Sequence, residues 1–370
     1  MYSFYLHCLR SPTNLLRRYS PSFQSEQSEQ SAVWAVVTGP TKGIGLSMAN
    51  KLAARGFSIL LVGRSLPRLK HVKEKIDNNP TSSHSHHSQV DIIHIDFSKV
   101  ERNALKQLNQ RLSTIDIGVL VNNVGTVIPG GLKYFTEILP EHNNMVQHVN
   151  MRSCVLMTRL VLPKIVARGS GGVINMSSLS GLHSSPLLSM YAASKAFVHS
   201  LSMSLSEETS GLSNIDVLSV TPGFVSTDMS SSMFGSHAEQ RPPFLHTSTT
   251  SWCSAIRCPP VVTADTCAES ILCQLGNGQR HTSGHWTHSV QRVIHSLTPS
   301  LVLSDVTHTC MRTFRQTKTN EKVRGGETKS HRYGDEEEDE ELEKEEKTTC
   351  STEGTNDLEE VGLLTHTCTT

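Results

Sequence analysis

From Val33 onward, short runs rich in Val, Ile and Leu alternate with longer stretches whose apolar residues recur at helical spacing. Runs that are apolar on successive residues read as strands buried on both faces, and the periodic stretches read as amphipathic helices. The runs are Val33–Thr38, Ser58–Gly63, Val90–Asp96, Ile117–Asn122, Gly172–Ser177 and Ile215–Thr221. Helical stretches lie between them at Ile44–Arg55, Leu66–Asp77 and Lys99–Leu112, with a long one from Met145 to Ala167. Alternating β and α elements predict βαβ units and a parallel sheet covered by helices on both sides. The expected fold is therefore a single α/β domain over residues 33–306, doubly wound and Rossmann-type. Such a sheet binds ligands beyond the carboxyl ends of its strands.

After Pro222 the pattern decays. Ser230–Ser254 is rich in Ser, Thr, His and Pro, too polar for a core element, so residues 230–262 are expected to form an irregular flap over the substrate. A helix is expected over Ala264–Leu275, followed by weak periodicity to Val306. Order is expected to end beyond Arg312: Arg312–Arg332 is basic and polar and Asp335–Glu346 is nearly all acid, so residues 307–370 read as a charged, disordered tail. At the other end, residues 1–32 carry Arg10, Arg17, Arg18 and several serines, with no acid before Glu26. Two readings of that extension stand side by side, a mitochondrial transit peptide and an ordinary disordered terminus.

Charge and cysteine content narrow the function classes. Lys+Arg and Asp+Glu are both 34, so no net field recruits nucleic acid, which is not expected as a partner. The nine cysteines contain no Cys-x-x-Cys pair and leave one over on any full pairing, which reads as reduced thiols. No apolar run is long enough to span a bilayer. His84, His86 and His87 lie in a Ser-rich connection without a nearby cysteine or acid, so no metal site is expected. Asn175-Met176-Ser177 fits the glycosylation pattern but falls in an expected buried strand.

The segment Thr38-Gly39-Pro40-Thr41-Lys42-Gly43-Ile44-Gly45 follows an expected strand and opens an expected helix. Glycines there permit a tight turn and close approach of a pyrophosphate, and the helix N-terminus offers unpaired N–H groups and a positive dipole end. The segment is thus a dinucleotide cradle. NAD sites place an acid at the end of the second strand, whereas NADP sites need a cation for the 2′-phosphate. Here Arg64 occupies that place, with Lys42 inside the loop as a second charge, so NADPH is expected over NADH. Asp96, ending the third strand, is expected either to accept from the adenine amino group or to cap the next helix. Asn122-Asn123-Val124-Gly125 ends the fourth strand, where amides tie strands together and line the cofactor crevice.

Three residues carry the chemistry. Tyr191 and Lys195 stand four apart in the expected helix Met190–Ser206 and so share a face. A tyrosine of ordinary pKa, about 10, exchanges protons poorly near neutrality, and an adjacent ammonium favours the phenolate. Tyr191 then serves as a general acid or base. Ser178, just past the fifth strand, is placed to hold a substrate oxygen where negative charge develops.

Together the strings Thr38–Gly45, Asn122–Gly125, Ser178 and Tyr191-Ala192-Ala193-Ser194-Lys195 resemble the short-chain dehydrogenase/reductase family in residues, order and spacing. The wording Trp34-Ala35-Val36-Val37-Thr38-Gly39, Leu120-Val121-Asn122-Asn123-Val124-Gly125 and Ser189–Val198 resembles one branch, the 17β-hydroxysteroid dehydrogenases and very-long-chain 3-oxoacyl-CoA reductases. The similarity covers about Val33 to Gln291. It implies a tetrad in which Asn150 holds a proton-relay water, Ser178 orients the carbonyl, Tyr191 gives the proton and Lys195 also binds the nicotinamide ribose. It further implies that Pro222, Gly223 and Thr227 contact the nicotinamide end and that Arg64 meets the 2′-phosphate.

The implied activity is NADPH-dependent reduction of a ketone on a steroid or a long-chain 3-oxoacyl-CoA, and the sequence leaves those two lipid classes open. The rival is a catalytically silent NADPH-binding scaffold that engages a protein partner. The resemblance also implies peripheral membrane association, a homodimer paired through helices flanking the site, and residence in the endoplasmic reticulum, against the mitochondrion suggested by N-terminal composition. Met1–Ser31 lacks the hydrophobic anchor with which the branch begins, and the C-terminus lacks a dilysine retrieval signal.

Overall fold

A computed structural model of the 370-residue chain describes residues 13–19, 32–78, 89–212, 214–234 and 262–324. The elements in chain order are β1 (Val33–Thr38), α1 (Gly43–Ala54), β2 (Ser58–Gly63), α2 (Leu66–Asp77), β3 (Val90–His94), α3 (Arg102–Ser113) and β4 (Asp116–Asn122). There follow α4 (Pro140–Val146), a π-helical turn (Gln147–Arg152), α5 (Ser153–Arg168), β5 (Gly171–Met176), α6 (Ser189–Glu208), β6 (Ile215–Val220), β7 (Val225–Ser226) and α7 (Asp228–Phe234). The last elements are β8 (Val262–Thr263), α8 (Ala264–Gln274), β9 (His281–Thr282), α9 (Trp286–Leu297) and α10 (Ser300–Arg324).

Seven strands pair in the order β3-β2-β1-β4-β5-β6-β9, all in parallel, with β7 and β8 forming a separate short pair. The order reverses between β1 and β4, which opens a crevice at their carboxyl ends. The sheet is doubly wound because its strands are apolar on both faces. Along β1, Ala35 and Val37 join Met48, Leu52, Leu61 and Ile271 on one side, while Trp34 and Val36 join Leu60, Leu108, Leu120 and Met157 on the other. Each buried Leu or Ile contributes about 1.5–3 kcal/mol. β3 lies at the edge, where its residues are only half-buried, and it stops at His94 rather than at Asp96.

The N-terminal residues 13–19 are part of this structure. Asn14 caps a single helical turn, Leu15–Arg18, by accepting the Arg17 N–H at 3.0 Å. Leu15 and Tyr19 are 1% and 0% exposed and enter the core cluster on one face of the sheet. Arg18 Nε and Nη2 and the Tyr19 hydroxyl all donate to Asp216 Oδ2 on β6, at 3.0, 2.9 and 2.8 Å. Burial raises the Tyr19 phenol well above its usual pKa, so it stays a donor.

At the other end α10 continues to Arg324, past Arg312. Met311 and Phe314 pack on Leu132, Leu187, Leu188 and Met233, and Arg315 pairs with Glu137 at 2.8 Å. No described helix is long and apolar enough to cross a membrane. His84, His86, His87, most of the expected flap (235–261) and the acidic tail lie outside the described residues.

Candidate active site

The glycine loop is knotted to the end of β4. Thr38 Oγ1 donates to the Val121 carbonyl at 3.2 Å and accepts the Asn123 and Val124 N–H groups at 3.0 and 3.1 Å. The Asn123 amide donates to the carbonyls of Thr38 and Gly39 at 3.2 and 3.0 Å, so its side chain braces the loop. Glycine is required at position 45: a Cβ there would lie 2.2 Å from the Gly39 carbonyl oxygen and 2.3 Å from Asn123 Nδ2. Gly39 and Gly43 take positive φ, +64° and +57°, which turns the chain into α1. Residue 42 provides no side-chain cap to α1, so its side chain takes up none of the first N–H groups of the helix. A backbone cradle with a bare helix N-terminus fits a pyrophosphate. Thr41 and Ile44 lie within it, Ile44 also packing on the core.

Around the cradle the charged candidates have different settings. Arg64 is exposed at the end of β2, and a second guanidinium, Arg68, is buried four residues on in the first turn of α2. Lys42 forms an ion pair with Asp228 at 3.1 Å. Asp96 Oδ1 accepts the Ser98 N–H and hydroxyl, both at 2.8 Å, so it shapes the turn after β3.

The second group of residues gathers at the ends of β4 and β5. Lys195 is 5% exposed, and its ammonium donates to the Met176 carbonyl at 2.9 Å and sits 5.7 Å from the Tyr191 ring centroid. Ser178 opens a short turn after β5, with its hydroxyl close enough to the Tyr191 phenol to favour its ionised form. Asn150 projects inward from the π-helical turn, a feature often found at functional sites. Its Oδ1 accepts the Thr126 N–H at 2.7 Å, and its Nδ2 donates to the Thr126 carbonyl and to Ser194 Oγ, both at 2.9 Å. Ser194 Oγ in turn donates to the Tyr191 carbonyl at 2.7 Å, tying Asn150 to the turn of α6 that carries Tyr191 and Lys195. The Asn150 amide is thus engaged with protein atoms and ties α6 to the loop after β4. Gly125 lies against the ammonium, where a Cβ would stand 3.2 Å from Lys195 Nζ.

Beneath this group, buried amides lock the elements together. Asn122 Nδ2 donates to Thr158 Oγ1 at 2.9 Å and Asn175 Oδ1 at 2.8 Å, and Asn175 Nδ2 donates to Ser202 Oγ at 2.9 Å. Asn175 is fully buried, as expected of a strand residue that only formally fits the glycosylation pattern.

Burial dominates the ionisations. It pushes the Tyr191 phenol up, opposed by the hydrogen bond from Ser178. It pulls the Lys195 ammonium down to about 8, opposed by the Cys154 thiol, which is itself raised to about 11. Ser178 thus acts on the phenol in the same sense that the sequence expects of Lys195, toward the ionised form.

The turn after β6 closes the crevice. The Pro222 carbonyl accepts the Leu179 N–H at 2.8 Å, linking it to the Ser178 turn. A Cβ on Gly223 would lie 2.5 Å from Gln291 Oε1, so α9 closes onto this point. Thr227 Cγ2 would lie 3.2 Å from a Cβ on Gly43, so the chain here arches back over the glycine loop. Sequence reasoning did not single out Arg68 or Ser180, whose hydroxyl lies 2.8 Å from Ser178 Oγ. Their only signals are spacings of four and two residues from Arg64 and Ser178.

Comparison with known proteins adds four findings. A family model described as short chain dehydrogenase matches residues 33–237. The chain is 39% identical over 199 residues to very-long-chain 3-oxoacyl-CoA reductase-A of Danio rerio, a match covering 53% of this chain and 59% of that protein. It is 33% identical over 222 residues to 17-beta-hydroxysteroid dehydrogenase type 3 of Mus musculus, covering 60% of this chain and 70% of the relative. Among solved structures, a 7beta-hydroxysteroid dehydrogenase aligns with a TM-score of 0.60 at 18% identity, over 82% of this chain and 99% of that one, a likeness of fold.

Proposed function

The chain belongs to the short-chain dehydrogenase family, and within it we propose an NADPH-dependent reductase that converts a ketone on a steroid (17-keto) or a long-chain 3-oxoacyl-CoA into the secondary alcohol. The observation that carries this reading is the convergence of Ser178, Tyr191 and Lys195 beside a glycine cradle, at the carboxyl ends of adjoining strands.

When bound, the nicotinamide supplies hydride to the carbonyl carbon. Tyr191 gives its phenolic proton to the carbonyl oxygen, and Ser178 donates a hydrogen bond to the same oxygen as charge builds there. The phenol held high by burial is in its acid form near neutrality, which suits reduction. Lys195 then lies close enough to stabilise the phenolate until a proton returns from solvent. Gly39, Thr41, Lys42, Gly43, Ile44 and Gly45 would hold the pyrophosphate side, and Asn123 braces them. Gly125, Pro222, Gly223 and Thr227 would flank the nicotinamide end, with Asp96 near the adenine.

Arg64, with no acid at the end of β2, supports NADPH. The names of the zebrafish and mouse relatives support the two lipid classes. The test is NADPH oxidation by the full chain against androstenedione, oestrone and a long-chain 3-oxoacyl-CoA, with NADH in parallel. Turnover of one class with NADPH is expected. Silence with every ketone, alongside demonstrable NADPH binding, overturns the reading in favour of a non-catalytic scaffold.

A further inference from the structure

A serine oxygen has two lone pairs to accept with and one proton to give. Ser178 Oγ already accepts the Ser180 N–H at 3.2 Å and lies 2.8 Å from Ser180 Oγ. We propose that Ser180 is a positioning residue for the reduction: its N–H and its hydroxyl fill both lone pairs of Ser178 Oγ, so the Ser178 proton is left to point at the reacting oxygen. This inference rests on the catalytic reading of Ser178 and Tyr191 given above.

The turn that carries Ser180 is fixed on several sides. Ser178 is extended (φ −160°) and caps the 3₁₀ turn Leu179–Gly181. The Leu179 N–H is held by the Pro222 carbonyl at 2.8 Å, and the Ser180 carbonyl accepts Ser185 Oγ at 3.3 Å. Gly181 is pressed on α6, where a Cβ would lie 2.7 Å from the Ala196 nitrogen and the Lys195 carbonyl carbon. The two serines therefore keep their separation relative to Tyr191. Were the Ser178 proton given to Ser180 instead, a lone pair of Ser178 would face the substrate carbonyl oxygen, and neither could donate. In the opposite sense the Ser178 proton is free to be donated to the reacting oxygen.

The experiment compares Ser180→Thr with Ser180→Val, which match in shape and differ in the hydroxyl, using the ketone that turns over in the panel above. Ser180→Val is expected to lower kcat about tenfold, the size of one oriented hydrogen bond, and to raise the apparent pKa of the Tyr191 step. The ketone KM and NADPH affinity should stay within about threefold of the parent, and Ser180→Thr should restore both kcat and the pH profile. Equal kcat and superimposable pH profiles for the Thr and Val variants overturn the proposal. Ser178→Ala separates the two ideas: if it turns over normally, the catalytic reading itself fails. If no ketone turns over, the Tyr191 phenol is titrated by ultraviolet difference against Tyr191→Phe. Its apparent pKa should lie higher in Ser180→Val than in Ser180→Thr, and equal values refute the role.

Discussion

Lys195 is the residue whose replacement should stabilise the fold while disabling the site. Its ammonium is 5% exposed and titrates at about 8, against 10.5 for a free lysine, because burial disfavours the charge. The folded protein therefore binds this proton less tightly than the unfolded chain. Below pH 8 the lysine is charged in both states and the fold carries the whole cost. At about 1.36 kcal/mol per pH unit, that cost is about 3 kcal/mol. Between about pH 8 and 10.5 the unfolded chain holds a proton the folded one has released, so stability rises with pH.

Lys195→Met keeps an unbranched stem and removes the charge, but forfeits the bond to the Met176 carbonyl, worth about 1–2 kcal/mol. The net expectation at pH 7 is a gain of about 1–2 kcal/mol, or a Tm higher by about 2–6 °C for a domain of this size. Calorimetric melts of cofactor-free parent and variant at pH 7 and pH 9 read it directly. The variant's advantage should shrink at pH 9, and turnover should fall at least about a hundredfold. A lower Tm for Lys195→Met at pH 7, or a difference that does not change with pH, refutes the reasoning.

Three other outcomes follow from the geometry. Gly45→Ala drives a methyl against the Gly39 carbonyl and Asn123, so NADPH binding measured by fluorescence should be lost, with about 1–3 kcal/mol of destabilisation in denaturant melts. Leu15→Ala should cost about 2–5 kcal/mol, because Leu15 belongs to the core; a loss under about 0.5 kcal/mol would mean the N-terminal turn is not docked. Arg64→Ala should weaken NADPH about 10- to 100-fold and leave NADH affinity unchanged, as titration of each nucleotide would show.

Where local pattern decides structure, the sequence was readable. β1 and β2 have the expected limits because continuous apolar runs are buried on both faces. Tyr191 and Lys195 share a face because helix geometry dictates it. What escaped depends on distant contacts. The expected long helix from Met145 is interrupted by the π-helical turn at Gln147–Arg152, whose composition does not differ from ordinary helix. Leu15 and Tyr19 are four apart, too short a pattern to stand out among arginines and serines, and only Asp216, some two hundred positions away, explains their docking. α10 outlasts Arg312 because Met311 and Phe314 meet Leu132 and Leu187. Spacing also could not foresee the pairing of Lys42 with Asp228, or that burial pushes the Tyr191 phenol up.

The central claim is that Tyr191 delivers the proton. Single-turnover oxidation of bound NADPH by Tyr191→Phe, on the ketone that the parent reduces, tests it most directly, with NADPH affinity measured on the same sample. The account predicts a rate lower by about 10²- to 10⁴-fold with NADPH affinity nearly unchanged. A variant that oxidises NADPH within about threefold of the parent rate would contradict it.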